Sequence, residues 1–154
     1  MQNQIPLLLL AIALVTGCHN SRKTVSTASA DKTVAGTQDS SSTKLNGTWE
    51  LNYISGPRIA FSGLYPEKKP TLVFALPGSE ASGNTSCNPY SCNITIAGDK
   101  ISFGECRSTM MACEGGGEQV FVKTLKQINR YAISNDTTLS FMMGDIAMMR
   151  FVKK

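Results

Sequence analysis

The sequence contains a single histidine among its 154 residues, and that histidine is His19. Histidine is the usual base for a nucleophilic serine or cysteine, and it is also the commonest protein ligand of transition metals. The region from Leu45 onward therefore cannot contain a Ser–His pair, a Cys–His pair or a histidine-ligated metal.

Long runs of one charge are also absent. The chain carries 15 Lys and Arg against 11 Asp and Glu, a formal net charge of +4, with both signs interspersed. Binding of nucleic acid requires a face on which basic residues are concentrated. We therefore predict no nucleic-acid partner.

The apolar runs are too short for a transmembrane helix. The longest, Ile5 to Val15, falls short of the roughly 20 residues that cross a bilayer, but it has the length of a signal-peptide core. It ends in VTGC at positions 15–18, which resembles the lipobox of bacterial lipoproteins, where the chain is cut before a lipidated cysteine. We predict a signal peptide at residues 1–17 and a membrane anchor at Cys18. The alternative is an ordinary cleaved signal peptide with an incidental cysteine.

The residue after the anchor, His19, is not aspartate. By resemblance to the sorting rule of proteobacterial lipoproteins, this favours the outer membrane, facing the periplasm.

Residues 18–44 are rich in Ser and Thr and have no apolar period, which is typical of a flexible tether. Residues 45–154 have the length of one compact domain, which we predict to be monomeric.

The pattern of residues 45–154 predicts mostly strands. TWELNYI and PTLVFAL alternate apolar residues, NITIAGDKISF has the form of a hairpin, and YAISNDTTLSFMMGDIAMMRFV has the form of a three-stranded meander. GEQVFVKTLKQINRY predicts a helix with Phe121, Leu125 and Ile128 on one face and Glu118 near its positive end. We predict a mainly β (α+β) fold, either a small antiparallel β-barrel or a strongly curved sheet with one packed α-helix.

Four cysteines lie in this domain: Cys87, Cys92, Cys106 and Cys113. An exported domain favours disulfides, and four cysteines allow three pairings. The predicted hairpin places Cys92 opposite Glu105 or Cys106, within the separation that a disulfide requires. We predict Cys92–Cys106, with Cys87–Cys113 as an outer, nested bridge. The alternative, a zinc site, is disfavoured because the C-x4-C and C-x6-C spacings match zinc knuckles poorly.

A series of motifs resembles the META domain, also called HslJ-like, across residues 45–154. In chain order they are LNGTWELNYISG, KPTLVF, SGNTSCN, STMMAC, GEQVFVKTL and TLSFMMGDIAMMRF. The resemblance implies a small β-rich domain with a packed helix, found in secreted or lipid-anchored bacterial proteins. It implies no established catalytic activity, and some members are heat-inducible or linked to novobiocin resistance. The family's GCN and MAC cysteines correspond to Cys87 and Cys113, which supports that bridge.

Two positions differ from the family pattern. Ser86 stands where glycine is common, and Met110 stands where the family has a basic residue between Thr and Met. Arg107 is the nearest basic residue that could replace it. We predict that Thr109 and Met111 pack beneath the disulfide bridges.

The stretch from Gly56 to Lys69 is the longest without a strand pattern. It contains Arg58, Phe61 and Tyr65, residue types that are common in binding loops, and with Arg107 they form a candidate binding surface. The alternative is a structural cap over one end of the barrel.

Two chemical alternatives remain. The methionine pairs at positions 110–111, 142–143 and 148–149 could bind Cu(I) or, with labile disulfides, buffer redox changes. Neighbouring strand residues point to opposite faces, however, so core packing is the favoured interpretation. Ser108 and Lys123 could form a hydrolase dyad, although no sequence feature brings them together.

We therefore predict no catalytic residue, no metal and no cofactor. The favoured function is a non-enzymatic, lipid-anchored module of the cell envelope that binds a protein or a small molecule in stress tolerance.

Overall fold

The computed structural model describes residues 40–154, which form eight strands and three helices. The predicted signal peptide 1–17, the predicted anchor Cys18 and residues 18–39 of the predicted tether lie outside this range. The elements in chain order are α1 (Ser40–Thr43), β1 (Gly47–Ile54), α2 (Phe61–Leu64), β2 (Thr71–Phe74), β3 (Glu80–Asn84), β4 (Pro89–Ala97), β5 (Lys100–Ser108), α3 (Gly117–Leu125), β6 (Arg130–Ser134), β7 (Thr138–Met143) and β8 (Ile146–Lys153).

The strands form one antiparallel sheet in sequence order. Each strand pairs with the next, and β8 returns to pair with β1, so the sheet closes into a barrel. The predicted mainly β fold with a packed helix is confirmed. The sequence pattern misses β3, α1 and α2, since β3 buries a single apolar side chain, Ala81, and the two extra helices have four residues each. Within residues 40–154 no helix is long and apolar enough to cross a membrane.

Aromatic side chains join helix α3 to the core of the barrel. Phe121 of α3 is fully buried, and its ring meets Tyr90 edge-on at a centroid distance of 5.5 Å and Phe151 at 6.5 Å. Phe151 in turn contacts Phe141 at 5.3 Å. Burial of one such ring stabilises the fold by about 1.5 to 3 kcal/mol. The helix is therefore a part of the hydrophobic core.

The folded region begins earlier than the predicted boundary at Leu45. Leu45 is fully buried, its N–H donates to the oxygen of Ser42 at 3.1 Å, and its own oxygen accepts the indole N–H of Trp49 at 2.7 Å. Lys44 forms an exposed ion pair with Asp136 at 2.9 Å. These contacts place the last residues of the predicted tether in the folded domain.

The hairpin β4–β5 has the predicted register. Ile96 lies opposite Ile101, and Cys92 lies opposite Cys106. Both disulfides are present in the predicted pairing, Cys92–Cys106 and Cys87–Cys113, and their Cα atoms are 4.0 and 6.1 Å apart. The second bridge links the connection between β3 and β4 to the segment that follows β5.

The sheet is least extensively paired between β5 and β6. Within the described residues these strands share one pair, Lys100 opposite Arg130. The guanidinium of Arg130 reinforces this contact between the strands by forming ion pairs with Asp99 at 2.6 Å and Asp145 at 3.0 Å. The hydrogen bond from Arg130 lowers the pKa of Asp99. Beyond this point β5 continues without a strand on that side.

Ser86, in the connection between β3 and β4, has an unusual backbone conformation. Its φ is +94°, a region that residues with a Cβ atom rarely adopt. Its N–H donates to Oδ1 of Asn84 at 2.9 Å, which holds the turn in place. The glycine that is common at this position in META domains therefore suits the backbone better than serine does.

We expect Ser86→Gly to stabilise the fold by about 1 kcal/mol, because glycine relieves the cost of a positive φ. Urea unfolding followed by the fluorescence of Trp49 measures the difference. The matched control is Ser82→Gly in the middle of β3, which should lose about 0.5 to 1 kcal/mol because glycine weakens a strand. A destabilised Ser86→Gly variant would contradict this account.

Candidate functional site

The side-chain amide of Asn88 links three separate segments of the chain. Asn88 is 1% exposed. Its Nδ2 donates to the main-chain oxygen of Met111 at 3.1 Å and to Oε2 of Glu118 at 2.9 Å. Its Oδ1 accepts the N–H of Met111 at 3.0 Å and the hydroxyl of Thr109 at 2.6 Å. An amide has two donor hydrogens and two lone pairs, so these four bonds satisfy it fully.

Glu118 completes this cluster from the first turn of α3. Its Oε1 accepts the hydroxyl of Thr85 at 2.9 Å, while Oε2 accepts the Asn88 amide. Thr85 is itself buried, and its N–H donates to the oxygen of Asn88 at 2.9 Å. The position of Glu118 at the positive end of a helix also favours its negative charge. Both carboxylate oxygens are thus engaged within the protein.

The Cys87–Cys113 bridge lies against the same carboxylate. Sγ of Cys113 is 3.1 Å from Oε2 of Glu118. A disulfide sulfur has no proton, so this is a contact without a hydrogen bond. The two sulfurs and the carboxylate lie within 4.8 Å of one another, the spacing of a metal site. The sulfurs are bonded to each other at 2.04 Å, however, so they are not available as thiolate ligands.

A groove of about 790 Å³ opens beside this cluster. The second half of β5 and the segment 109–111 form one wall, and α3 forms the other, with Tyr90 and Cys92 of β4 between them. Met110 and Met111 are 98% and 57% exposed. The helix wall includes Val122, Lys123 and the buried Leu125, and Lys126 follows directly after the helix.

The structure brings Ser108 and Lys123 to the same groove. The Ser108 hydroxyl lies 3.2 Å from the oxygen of Pro89 and 3.0 Å from the oxygen of Thr109, so it donates its proton to a main-chain carbonyl. A nucleophilic serine must instead donate to a base. This geometry does not favour the hydrolase alternative.

The predicted binding residues in the first loop do not line the groove. Arg58 is exposed, and Phe61 packs edge-on against Tyr65 at a centroid distance of 5.1 Å. Tyr65 is 4% exposed and donates its hydroxyl to the oxygen of Gly117 at 2.9 Å, and burial raises its pKa to about 12. A Cβ on Gly117 would lie 2.4 Å from the oxygen of Leu64. Tyr65 therefore supports the start of α3, as the structural-cap alternative requires.

Arg107 is also outside the groove. Its neighbours Cys106 and Ser108 face the groove, and consecutive strand residues point to opposite faces. Arg107 instead forms an exposed ion pair with Glu80 of β3. None of the four residues of the predicted binding surface therefore lines the groove.

The methionines have different environments. Met149 is fully buried, whereas Met110, Met111 and Met143 are exposed. The prediction that Met111 packs beneath the bridges is wrong, because its main chain, and not its side chain, is held by Asn88. Thr109 is held there through its hydroxyl.

The sequence analysis did not identify Asn88 as a site residue, and it placed Glu118 only near the positive end of the predicted helix. Both residues lie in the quoted motifs, SGNTSCN and GEQVFVKTL. A polar residue between a cysteine and a proline is compatible with many roles, and its partners at positions 109, 111 and 118 are distant in sequence. The predicted bridge from Cys87, in SGNTSCN, to Cys113, shortly before GEQVFVKTL, was the available signal that these two motifs lie close together.

The fold and the groove define a small, disulfide-braced β-barrel domain with a helix packed into its core and an open groove beside that helix. Residues 42–154 match the META domain, so the chain belongs to the META domain family. No curated protein matches the chain significantly.

Two solved structures show the same fold. An NMR structure of a protein from Burkholderia xenovorans is 20% identical, with a TM-score of 0.57 over 84% of this chain and 99% of that one. A crystal structure of a DUF4847 family protein from Bacteroides vulgatus ATCC 8482 is 11% identical, with a TM-score of 0.52 over 73% of this chain and 96% of that one.

We expect Asn88→Asp to destabilise the fold by about 3 kcal/mol at neutral pH, because it removes both donors and brings a second carboxylate against Glu118. In the folded state this contact raises the pKa of the introduced carboxyl, so its protonated form is favoured. The loss relative to the wild type should therefore be smaller near pH 4 than near pH 7.

Urea unfolding at the two pH values measures this difference. The matched control is Asn52→Asp on the exposed face of β1, where the introduced carboxylate lies beside Arg150, and it should change stability by less than about 0.5 kcal/mol. Equal effects of the two substitutions would refute the role of the Asn88 amide.

Proposed function

We propose that this protein is a lipid-anchored META-domain module of the bacterial cell envelope that binds a partner in the groove between β5 and α3 and catalyses no reaction. The groove carries the proposal. Its wall at 109–111 exposes the side chains of Met110 and Met111, yet Asn88 and the Cys87–Cys113 bridge hold its main chain. A surface that is ordered before binding loses less conformational entropy when a partner binds.

The membrane anchor rests on the sequence. The apolar run from Ile5 to Val15 leads into VTGC, and His19 follows the lipidated cysteine. The disulfides support an oxidising compartment, since such bonds persist outside the cytosol. The domain would then be held at the periplasmic face of the outer membrane.

The absence of catalysis rests on the chemistry of the groove. The domain contains no histidine, and the groove's serine donates to the main chain. Both oxygens of Glu118 accept hydrogen bonds from neighbouring side chains. A general acid or base must instead reach the reacting group of a substrate.

We expect Cys18→Ala to release the full chain from the membrane fraction, because the acyl chains are the only anchor that the sequence predicts. Fractionation of cells together with the mass of the mature chain tests this. The matched control His19→Ala should keep both the lipid mass and the membrane association. Membrane-bound Cys18→Ala protein would contradict lipid anchoring.

We expect a photo-crosslinking residue at Met110 to capture a discrete envelope partner in intact cells. Met110 is 98% exposed at the groove. The matched control is the same residue at Ile146, which is 61% exposed at the start of β8 and does not line the groove. Mass spectrometry of the crosslinked species identifies the partner. Equal capture at both positions, or capture of lipid alone, would overturn the groove assignment.

A further inference from the structure

Strand β5 has a free edge, and the end of that edge, at Cys106 and Ser108, lies in the groove. It pairs with β4 from Lys100 to Ser108, but within residues 40–154 it meets β6 at Lys100 alone. The edge from Ser102 to Ser108 is about 20 Å long, at about 3.3 Å per residue. An unpaired edge presents a row of N–H and C=O groups that can bind another strand.

The register shows which main-chain groups point into the groove. Cys92 and Cys106 face each other with Cα atoms 4.0 Å apart, the close spacing of a pair that does not exchange hydrogen bonds. The N–H of Thr109 donates back to the oxygen of Pro89. Because directions alternate along a strand, the main-chain groups of Cys106 and Ser108 point away from β4. Both residues line the groove.

The wall of the groove opposite β5 carries positively charged side chains. Lys123 of α3 and Lys126, the residue directly after α3, are exposed at the groove, beside the half-buried Val122. Glu118, the acidic residue at the groove, already accepts bonds from Thr85 and Asn88. The charges that remain open to a ligand on this wall are therefore positive, and they are complementary to an acidic partner.

We propose that the groove binds an extended, acidic segment of a partner protein, about six residues long, which adds as a strand to the free edge of β5. Main-chain hydrogen bonds to β5 would supply affinity. Alternate side chains would enter the groove, where their carboxylates would face Lys123 and Lys126, and the side chains between them would point to the opposite face of the added strand. This inference rests on the proposed binding function and names the class of partner.

The disulfides fit this role. Cys92–Cys106 ties β5 to β4 next to the free edge, and Cys87–Cys113 ties down the segment after β5. These bridges hold the edge of β5 in place, although β6 pairs with β5 only at Lys100 and Arg130. The incoming strand therefore meets an edge that is already ordered.

The test titrates the full chain, labelled with 15N in nonionic detergent, with a capped hexapeptide, Asp-Val-Glu-Val-Asp-Val. We expect shifts centred on the amides of Cys106 and Ser108 and on α3. The peptide Lys-Val-Lys-Val-Lys-Val should bind at least about tenfold more weakly, because its charges face Lys123 and Lys126. A higher salt concentration should weaken the binding of the acidic peptide.

Two further peptides test strand addition without altering the protein. One is N-methylated at its valines and the other at its acidic residues. Only alternate amides of an added strand face β5, so one of the pair should lose binding and the other should keep it. Equal behaviour of the two would overturn strand addition.

Protein variants supply the complementary test. Ser108→Pro removes an N–H from the free edge and should abolish binding, whereas Ser108→Ala keeps that N–H and should bind like the wild type. The double variant Lys123→Glu/Lys126→Glu has intact edge groups and should reverse the preference between the acidic and lysine peptides. If Ser108→Pro does not fold, this double variant still tests whether the two lysines determine the charge preference.

The two proposals can fail separately. If Met110 captures a partner and the acidic hexapeptide does not bind, the binding function stands and strand addition is refuted. If neither occurs, both are refuted. Concentration-dependent shifts of Cys106 and Ser108 without peptide would show that a second copy occupies the edge, which would also refute the proposal.

Discussion

The buried amide of Asn88 is the interaction on which the arrangement of the groove depends. It forms hydrogen bonds to Thr109 and Met111 after β5 and to Glu118 at the start of α3. A buried amide must satisfy its donors and acceptors within the protein, and the cost of leaving them unpaired makes this arrangement specific. The segment between β5 and α3 is therefore ordered although most of its side chains face water.

The closed sheet and the helix place this cluster beside an opening. Phe121 fixes α3 in the core through Tyr90 and Phe151, while Arg130 holds β5 and β6 together at their one shared pair. Between these two attachments, β5 and α3 are far enough apart to leave a groove. The Cys92–Cys106 bridge between β4 and β5 and the Cys87–Cys113 bridge beside them keep the wall in position where sheet pairing is missing.

The META family motifs have a structural explanation in this chain. The cysteine and asparagine of SGNTSCN, the threonine and cysteine of STMMAC and the glutamate of GEQVFVKTL all belong to the Asn88 cluster. Ser86 adopts a backbone conformation that suits the glycine common in the family, and Met110 is almost fully exposed where a basic residue is common. The motif residues therefore build the groove, and Met110 is exposed at its rim.

The sequence alone determined every strand except β3, the core helix and the Cys92–Cys106 pairing, because alternation, the 3.6-residue period and hairpin register are local patterns. It also predicts the anchor at Cys18, which stays a prediction. Tertiary structure decided the rest. Tyr65 and Arg107 have the composition of a binding surface, but contacts with Gly117 and Glu80 engage them elsewhere. The free edge of β5 and the partners of Asn88 depend on where distant segments meet, which no local pattern encodes.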